Sequence, residues 1–408
     1  MNLGEISIDV ENLKGSRAGR SFDLTLDELH LLETACNYPN WQPTPLELAQ
    51  AVSRPESPCD EVKLSQLLLA LRNKLDPACD TIFPQLFSST QTATFTRQVD
   101  PYVGSVLADR YVLTKLIGGG SSSLVYQGRR RHDNKPVAVK LLIINSRSSP
   151  EVLARFKREA RLNSALVHKN IVAVEDYGVG ERDQPFLVME LLDGATLQEI
   201  VEKHGLPNLV EVLGFFRQVC EGLAYAHSQG IVHRDIKPNN MMVMGSGESG
   251  FTVKIVDFGL ARLAENDNPN TEVTQAGNVV GSPPYMSPEQ CRGEQVDHRS
   301  DIYSLGCSLY EMLHGDLPYL GKDPVSVMIK HLKAPIPEME VKKADSEVNA
   351  ELNKVVSRCL AKERDARYQS ATEVANELAR CEALLQKEKP GTWEPKNKVL
   401  SWLAARFR

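Results

Sequence analysis

The segment I-V-H-R-D-I-K-P-N-N occupies positions 231–240, and the interpretation of the whole chain starts from it. It carries a carboxylate at Asp235, an ammonium group at Lys237 and an amide at Asn240. Phosphoryl transfer requires a group of each kind: one to accept a hydroxyl proton, one to neutralise the moving charge and one to hold a metal ion. A polar loop whose Asp and Asn only cap turns is the competing interpretation.

The composition is that of an ordinary folded protein. The chain has 408 residues, of which 42% are hydrophobic and 25% are charged, so it is long enough for two or three domains. Its apolar runs are too short to cross a bilayer and its first residues lack the basic start of a signal peptide, so a cytoplasmic protein is expected. The eight cysteines form no Cys-x-x-Cys pair, which argues against a zinc site or a disulfide framework.

The first hundred residues differ in charge from the rest of the chain. Residues 1–100 contain 8 Lys and Arg against 14 Asp and Glu, whereas residues 101–408 contain 39 of each. The net charge of −6 therefore arises entirely in the first hundred residues.

Residues 1–86 are predicted to form a small separate domain. Short strands are followed by a helix that Thr25 can cap, because Glu28 stands three residues later. Two more helices are predicted over residues 46–52 and 60–75. This order resembles the winged-helix domain of OmpR-type response regulators, and the segments that carry the resemblance are L-T-L-D-E-L-H-L-L-E at 24–33 and L-R-N-K-L at 71–75.

DNA binding does not follow from this resemblance. In OmpR-type proteins the last helix enters the major groove, but the matching residues here, Leu67, Leu69 and Ala70, are apolar and cannot read base edges. The negative charge of this region also repels the DNA backbone. We therefore expect a protein partner at this domain rather than DNA. Residues 87–106, which are mostly small and polar, are predicted to be a linker.

A glycine-rich stretch, I-G-G-G-S-S-S-L-V-Y at 117–126, follows an alternating strand. Glycines let the backbone approach phosphate oxygens closely, although a tight hairpin would also contain them. Next, V-A-V-K at 137–140 ends an apolar strand with Lys140, whose charge needs an anionic partner if it is buried. The predicted nucleotide site includes Ile117, Gly118, Gly119, Gly120, Ser121, Ser122, Ser123, Leu124, Val125 and Ala138.

Two further segments complete the candidate pocket. A helix over residues 150–166 carries Glu159, which is predicted to pair with Lys140; an exposed helix charge is the alternative. The segment F-L-V-M-E-L-L-D-G at 186–194 indicates a buried strand that leads into a turn, although core packing alone would also explain it. The residues expected around the base of the nucleotide are Met189, Glu190, Leu192 and Met242.

Three motifs together carry a stronger resemblance. With H-R-D-I-K-P-N-N at 233–240, D-F-G at 257–259 and S-P-E at 287–289, residues 107–385 resemble a protein kinase. They are most similar to the eukaryotic-like Ser/Thr protein kinases of bacteria. The resemblance implies an α+β, two-lobed protein kinase fold that binds ATP between its lobes, here preceded by the small winged-helix-like α+β domain. Residues 386–408 are predicted to be a C-terminal tail.

The resemblance also implies a role for each matching residue. Asp235 would be the base for the substrate hydroxyl, and Lys237 would stabilise charge on the γ-phosphoryl group of ATP. Asn240 and Asp257 would hold Mg²⁺, which prefers oxygen ligands. Lys237 and Ser282 are typical of kinases that act on Ser or Thr, so protein substrates with these acceptors are expected.

Other positions match regulatory or structural residues of the family. Thr274, with Thr271 nearby, is the predicted phosphorylation site of the activation segment, modified by a second copy of the chain in a homodimer. Arg234 would engage the resulting phosphothreonine. The remaining matches are Asp301 as a cap of the catalytic loop, Phe258 beneath the helix of Glu159, Arg367 as the partner of Glu289, and Ser123 in place of a third glycine.

Three other functions are open at this point. A pseudokinase-like scaffold would have the fold without activity, but Lys140, Asp235, Asn240 and Asp257 are all intact. A kinase coupled to a DNA-binding regulator is disfavoured by the acidic first domain. Small-molecule phosphotransferases share the base and metal residues, but they generally lack V-A-V-K and S-P-E.

Overall fold

The computed structural model describes the greater part of residues 102–388 and a few short pieces before them. The described residues are 2–3, 6–9, 14–17, 20–25, 27–28, 32, 67, 102–120, 123–142, 150–180, 184–245, 250–258, 282–341 and 346–388. The chain divides into two compact units, Met1–Ser105 and Val106–Arg408. The predicted tail lies almost entirely outside the described residues, as do residues 87–101 of the predicted linker.

The first unit contains a four-stranded antiparallel sheet in sequence order. After the sheet, Thr25 and Glu28 form the predicted reciprocal cap: the Thr25 N–H donates to Glu28 Oε2 at 2.7 Å, and the Glu28 N–H donates to Thr25 Oγ1 at 3.2 Å. Apart from Leu67, the helices predicted over residues 46–52 and 60–75 lie outside the described residues. The strands are β1 (Asn2–Leu3), β2 (Ile6–Asp9), β3 (Lys14–Arg17) and β4 (Arg20–Asp23).

The second unit begins with a six-stranded antiparallel sheet whose strand order is β5-β6-β7-β8-β10-β9. Its neighbouring apolar strands β8 and β10 are almost wholly buried, as the continuous apolar runs in the sequence predicted. Helix α1 connects β8 to β9. The elements are β5 (Val106–Leu107), β6 (Tyr111–Gly120), β7 (Ser123–Arg130), β8 (Pro136–Leu142), α1 (Pro150–Ser164), β9 (Val174–Val179) and β10 (Pro185–Glu190).

The rest of the unit is mainly helical, with a second sheet of three short strands, β11, β12 and β13. No helix in the described part of the chain is both long enough and apolar enough to span a membrane. The elements are β11 (Ala195–Thr196), α2 (Leu197–His204), α3 (Leu209–Ser228), β12 (Met241–Gly245), β13 (Phe251–Ile255), α4 (Pro288–Cys291), α5 (His298–His314), α6 (Pro324–Lys333), α7 (Ser346–Cys359) and α8 (Ala371–Glu388).

Local sequence explains where the first helices of this half begin. Thr196 precedes α2 and accepts from the N–H of Glu199, whose carboxylate accepts from the Thr196 N–H. Asn208 and Glu211 make the same reciprocal pair before α3. Each pair satisfies two N–H groups that would otherwise lack a partner at a helix start.

Helix α5 forms the centre of the helical half. Every residue from 300 to 310 is buried, which is typical of a helix surrounded by protein on all sides. Small residues let its neighbours approach closely: a Cβ placed on Gly306 would lie 2.6 Å from the Cβ of Cys359 in α7. The helix therefore supplies a rigid base for the loops that pack on its first turn.

The predicted ion pair between Glu289 and Arg367 is present at the edge of this core. Arg367 Nη1 and Nη2 donate to the two carboxylate oxygens of Glu289 at 2.7 and 2.8 Å, and both side chains are buried. Ser300 Oγ also donates to Glu289. Burial raises the pKa of the Glu289 carboxyl, but the bonds from Arg367 and Ser300 outweigh that effect and hold the pKa below its usual value.

Replacing Arg367 by Met should destabilise the second unit strongly. The change leaves the Glu289 carboxylate buried without its main cationic partner, which typically costs about 3 to 5 kcal/mol. Urea unfolding followed by circular dichroism measures the loss. The matched control is Arg380→Met, because Arg380 forms only an exposed pair with Glu377, worth less than about 1 kcal/mol. Equal effects of the two substitutions would contradict the assignment.

Candidate active site

The three groups singled out in the sequence meet in the loop between α3 and β12. The Asp235 carboxylate accepts from Lys237 Nζ at 2.7 Å and from Asn240 Nδ2 at 3.1 Å through the same oxygen, Oδ2. Lys237 Nζ also donates to Ser282 Oγ at 2.6 Å. Asn240 is buried, whereas about a fifth of the Asp235 side chain is exposed. A carboxylate, a cation and a hydroxyl group therefore lie side by side at a surface that a substrate can reach.

Asp301, in the first turn of α5, holds this loop from behind. Its fully buried carboxylate accepts from the N–H groups of His233 and Arg234 at 2.8 and 2.7 Å and from His227 Nε2 at 2.8 Å. These bonds fix Arg234 in a left-handed conformation, with φ of +71°, just before Asp235. Burial raises the pKa of Asp301, but the hydrogen bonds from the His227 side chain and the His233 N–H hold the pKa below its usual value. The predicted cap of the loop is confirmed.

His233 connects the loop to the strand that leads to Asp257. Its Nδ1 accepts from the Asp235 N–H at 3.2 Å, so Nε2 must carry the proton that it donates to the Val256 carbonyl at 2.9 Å. The Val256 N–H in turn donates to the carbonyl of Asn240 at 3.0 Å. The histidine is buried, and its two hydrogen bonds set the distance between the two loops. No role for His233 was predicted from the sequence.

Lys140 of β8 is buried and forms an ion pair with Asp257. Its Nζ lies 2.8 Å from Asp257 Oδ1, and 8% of the lysine side chain and 31% of the aspartate side chain are exposed. The anionic partner that Lys140 required is thus the predicted metal ligand. The pair between Lys140 and Glu159, a half-buried residue of α1, stays a prediction.

The donor set fits a magnesium ion. The Asn240 amide nitrogen donates to Asp235, so the amide oxygen is the atom that is left to bind a cation. Asp257 Oδ1 contacts Lys140, so Asp257 Oδ2 is the oxygen that would bind the cation. Two protein oxygens suit Mg²⁺, because this ion keeps several waters and phosphate oxygens in its coordination shell.

The glycine-rich stretch forms a tight hairpin beside Lys140. Gly118 pairs with Val125 and Gly120 with Ser123 across β6 and β7, and Val125 pairs in turn with Lys140 of β8. The hairpin interpretation and the phosphate-loop interpretation are therefore compatible. Side chains along this hairpin differ in exposure, since Ile117 is 46% exposed and Ser123 is buried. Ser121 and Ser122 lie outside the described residues.

The residues expected around the base of a nucleotide lie on neighbouring strands. Ala138 of β8 pairs with Met189 of β10, and both belong to a small apolar cluster against which Val125 and Leu192 pack. The Glu190 side chain accepts from Lys254 Nζ at 2.6 Å and from the Ala173 N–H at 2.7 Å. Glu190 thereby ties the turn after β10 to β13.

Met242 occupies a separate element from these residues. It lies in β12, where it pairs with Thr196 of β11 and Lys254 of β13. Its assignment as a nucleotide contact stays a prediction.

Comparison with known proteins identifies the family to which this arrangement of residues belongs. The family described as "Protein kinase domain" matches residues 111–378, which include strands β6 to β13 and every residue of the catalytic loop. The chain belongs to the protein kinase family.

Curated relatives extend this result. The kinase is 41% identical over 278 residues to the serine/threonine-protein kinase PknB of Mycobacterium leprae, an alignment that covers 67% of this chain and 43% of that protein. It is 36% identical over 283 residues to the serine/threonine-protein kinase pkn3 of Myxococcus xanthus, with 69% and 52% covered. The chain thus spans about half the length of the curated relatives that it matches.

A solved structure gives the same fold. The crystal structure of the Mycobacterium tuberculosis PknI kinase domain is 26% identical and superposes with a TM-score of 0.51, covering 68% of this chain and 98% of that chain. The predicted kinase fold, with a sheet-rich first lobe and a helical second lobe, is confirmed for the second unit.

Replacing Asp301 by Asn should slow the kinase without weakening nucleotide binding. The amide nitrogen of Asn cannot accept a hydrogen bond. Placed at the position of Oδ1, it would face the Arg234 N–H, which would lose its bond, and Asp235 would shift. We expect kcat to fall at least about tenfold. The KM for ATP should stay within about threefold, because the Lys140–Asp257 pair lies on other segments.

The measurement is steady-state phosphate transfer to a generic protein acceptor at varied ATP. Asp316→Asn is the matched control, because Asp316 is exposed just beyond the end of α5. A rise in KM with kcat unchanged would show that Asp301 does not act through Asp235.

Proposed function

We propose that the chain is a serine/threonine protein kinase that transfers the γ-phosphoryl group of Mg²⁺-bound ATP to hydroxyl groups of proteins. The observation that carries this proposal is the contact of Lys237 Nζ with both Asp235 Oδ2 and Ser282 Oγ, at 2.7 and 2.6 Å. It places a hydroxyl group next to the candidate base and its cation. The names of the relatives, which are serine/threonine-protein kinases, support Ser and Thr hydroxyl groups of proteins as the acceptors.

Each residue of the site has a definite task in this reaction. Asp235 orients the acceptor hydroxyl and accepts its proton, while Lys237 neutralises charge that develops between acceptor and donor. Lys140 lies in the sheet beside the glycine hairpin, and it would contact phosphate oxygens once it exchanges Asp257 for them. When bound, Mg²⁺ neutralises the phosphate charge, and Asn240 and Asp257 are the residues that would hold it.

Asp235→Asn is the substitution that tests this proposal. Asn cannot accept the hydroxyl proton, so phosphate incorporation should fall about 10²- to 10⁴-fold. The nearly isosteric amide should leave nucleotide binding within a few-fold. The assay is incubation with labelled ATP and magnesium, followed by mass-spectrometric mapping of the modified residues.

Asn239→Asp is a matched control in the same loop, because Asn239 is exposed. Incorporation that is unaffected by Asp235→Asn would overturn the proposed mechanism. Absence of incorporation in the wild-type chain, despite nucleotide binding, would favour the scaffold function instead.

We further propose that a second copy of the chain phosphorylates Thr274 within a homodimer. Thr271 and Thr274 lie outside the described residues. The proposal is supported by Arg234, a half-buried cation directly before Asp235, which a phosphothreonine could engage through charge-assisted hydrogen bonds.

Thr274→Ala should lower the initial rate of phosphate transfer by at least about tenfold, since the ordering contacts of the phosphate are lost. Thr271→Ala serves as the neighbouring control and should change the rate less. The rate at which the wild-type chain becomes activated should also rise with enzyme concentration, as expected for a bimolecular step. Full activity of Thr274→Ala would contradict the proposal.

For the first 86 residues we propose a winged-helix-like module that binds a protein partner. Its support is the antiparallel sheet of β1 to β4 followed by the capped start of a helix at Thr25, together with the negative charge of residues 1–100. A surface of that charge favours a basic protein surface over DNA.

A further inference from the structure

Lys362 is a half-buried lysine in the loop after α7, and its ammonium group lies between two aromatic side chains. Its Nζ donates to the hydroxyl of Tyr319 at 2.8 Å and to the hydroxyl of Tyr303 at 3.4 Å. The same nitrogen lies 4.3 Å from the centre of the Tyr319 ring and 5.7 Å from the centre of the Tyr303 ring. Both tyrosines are buried, so the charged end of Lys362 is held among aromatic groups rather than in bulk water.

No carboxylate balances this charge in the described part of the chain. The two side-chain partners of Lys362 are both hydroxyl groups, and neither carries a charge. Its charged neighbour is Arg367, whose guanidinium lies 4.9 Å from the centre of the Tyr303 ring and whose Nη2 donates to the Lys362 carbonyl at 2.9 Å. An arginine stays protonated in proteins. An ammonium group that is partly desolvated and lies beside a second cation is less favourable than the neutral amine.

The titratable groups on the surrounding helices add no negative charge near neutral pH. Burial raises the pKa of the Cys307 thiol on α5, so this thiol stays protonated. Burial, together with the charge of Lys362, lowers the pKa of His331 on α6 to about 4, so this imidazole is neutral. The remaining neighbour is Cys291, at the end of α4. Burial and the charge of Arg367 lower the pKa of Lys362 itself to about 8.

We propose that Lys362 is a site of acylation by small activated carboxylic acids, such as an acyl phosphate. The neutral amine attacks the carbonyl carbon of the donor and forms a C–N bond. The C–O bond to the phosphate group breaks, inorganic phosphate leaves, and the proton lost by the nitrogen passes to the solvent. The product is an amide that carries no charge, and the reaction needs no oxidant or reductant.

Acylation of Lys362 would change the support of the segment that follows Ser282. The Tyr303 hydroxyl lies 2.9 Å from His331 Nδ1, and α6, which carries His331, packs against residues 283–285. This segment directly follows Ser282, whose hydroxyl contacts Lys237. An acyl group removes the charge and adds volume between two buried rings, where close packing leaves little room. We expect weaker binding of the protein acceptor, a consequence that rests on the proposed function.

Reaction of the full chain with acetyl phosphate, followed by mass-spectrometric mapping, tests the site. At pH 8, Lys362 should be acetylated about tenfold faster than Lys333, an exposed lysine at the end of α6, because its larger neutral fraction outweighs its lower nucleophilicity. The rate at Lys362 should rise with pH and level off above about pH 9, whereas the rate of a short lysine peptide should still be rising there.

Acetyl-coenzyme A in a separate arm distinguishes a thioester donor from a phosphate donor. Selective labelling of Lys362 in either arm supports the site, and the arm that gives it identifies the donor. Equal rates at Lys362 and Lys333 in both arms, or a rate at Lys362 that keeps rising with the peptide, would overturn the proposal.

Lys362→Gln tests the consequence, because its side chain is as uncharged as the acylated lysine. The KM for a generic protein acceptor should rise about tenfold, as for the loss of a hydrogen bond from a charged group, while the KM for ATP stays within about twofold. Lys354→Gln is the matched control, because Lys354 is exposed on α7 and pairs only with Glu351. An unchanged acceptor KM in Lys362→Gln would contradict the consequence.

Lys362→Arg keeps a positive charge but cannot form the amide. Treatment with acetyl phosphate should raise the acceptor KM of the wild-type chain and leave that of Lys362→Arg unchanged; an equal rise in both would also contradict the consequence. Labelling uses the wild-type chain and needs no phosphate transfer, so it decides the site even if a variant fails to fold. A chain that is labelled selectively but transfers no phosphate would overturn the proposed function alone.

Discussion

The buried carboxylate of Asp301 is the constraint on which the rest of the site depends. It accepts three hydrogen bonds, from His227, His233 and Arg234, on the first turn of a helix that is enclosed on all sides. A buried charge is tolerable only when such donors compensate its lost hydration. Because two of those donors are backbone N–H groups of the catalytic loop, the same requirement fixes the loop that carries Asp235.

The site joins two parts of the second unit through a few contacts between distant segments. Lys140 of the first sheet pairs with Asp257, and the salt bridge between Glu190 and Lys254 ties the turn after β10 to the strand before Asp257. His233 spans the catalytic loop and Val256. Since nearly every polar group in this chain of contacts has a partner, the groups are held in place before any ligand arrives. Among the described residues, Asn163 Oδ1 and His227 Nδ1 are exceptions, because both atoms are buried and neither has a hydrogen-bond partner.

Features that depend on neighbouring residues were predicted well from the sequence. The caps at Thr25 and the meeting of Asp235, Lys237 and Asn240 follow from spacings of two to five residues, which leave the chain few alternatives. The resemblance to protein kinases added contacts across longer distances, namely the cap by Asp301 and the pair of Glu289 with Arg367. Both are present in the structure.

By itself, then, the sequence determined the fold of the second unit, the local geometry of the catalytic loop and the residue types that meet there. Only the tertiary structure decided which partner each buried group takes: Asp257 for Lys140, Val256 for His233 and Phe258 for Asn163. The physical reason is that a lysine or an amide can satisfy its donors with any acceptor within reach. Packing of helices and strands, rather than spacing along the chain, determines which acceptor lies within that reach.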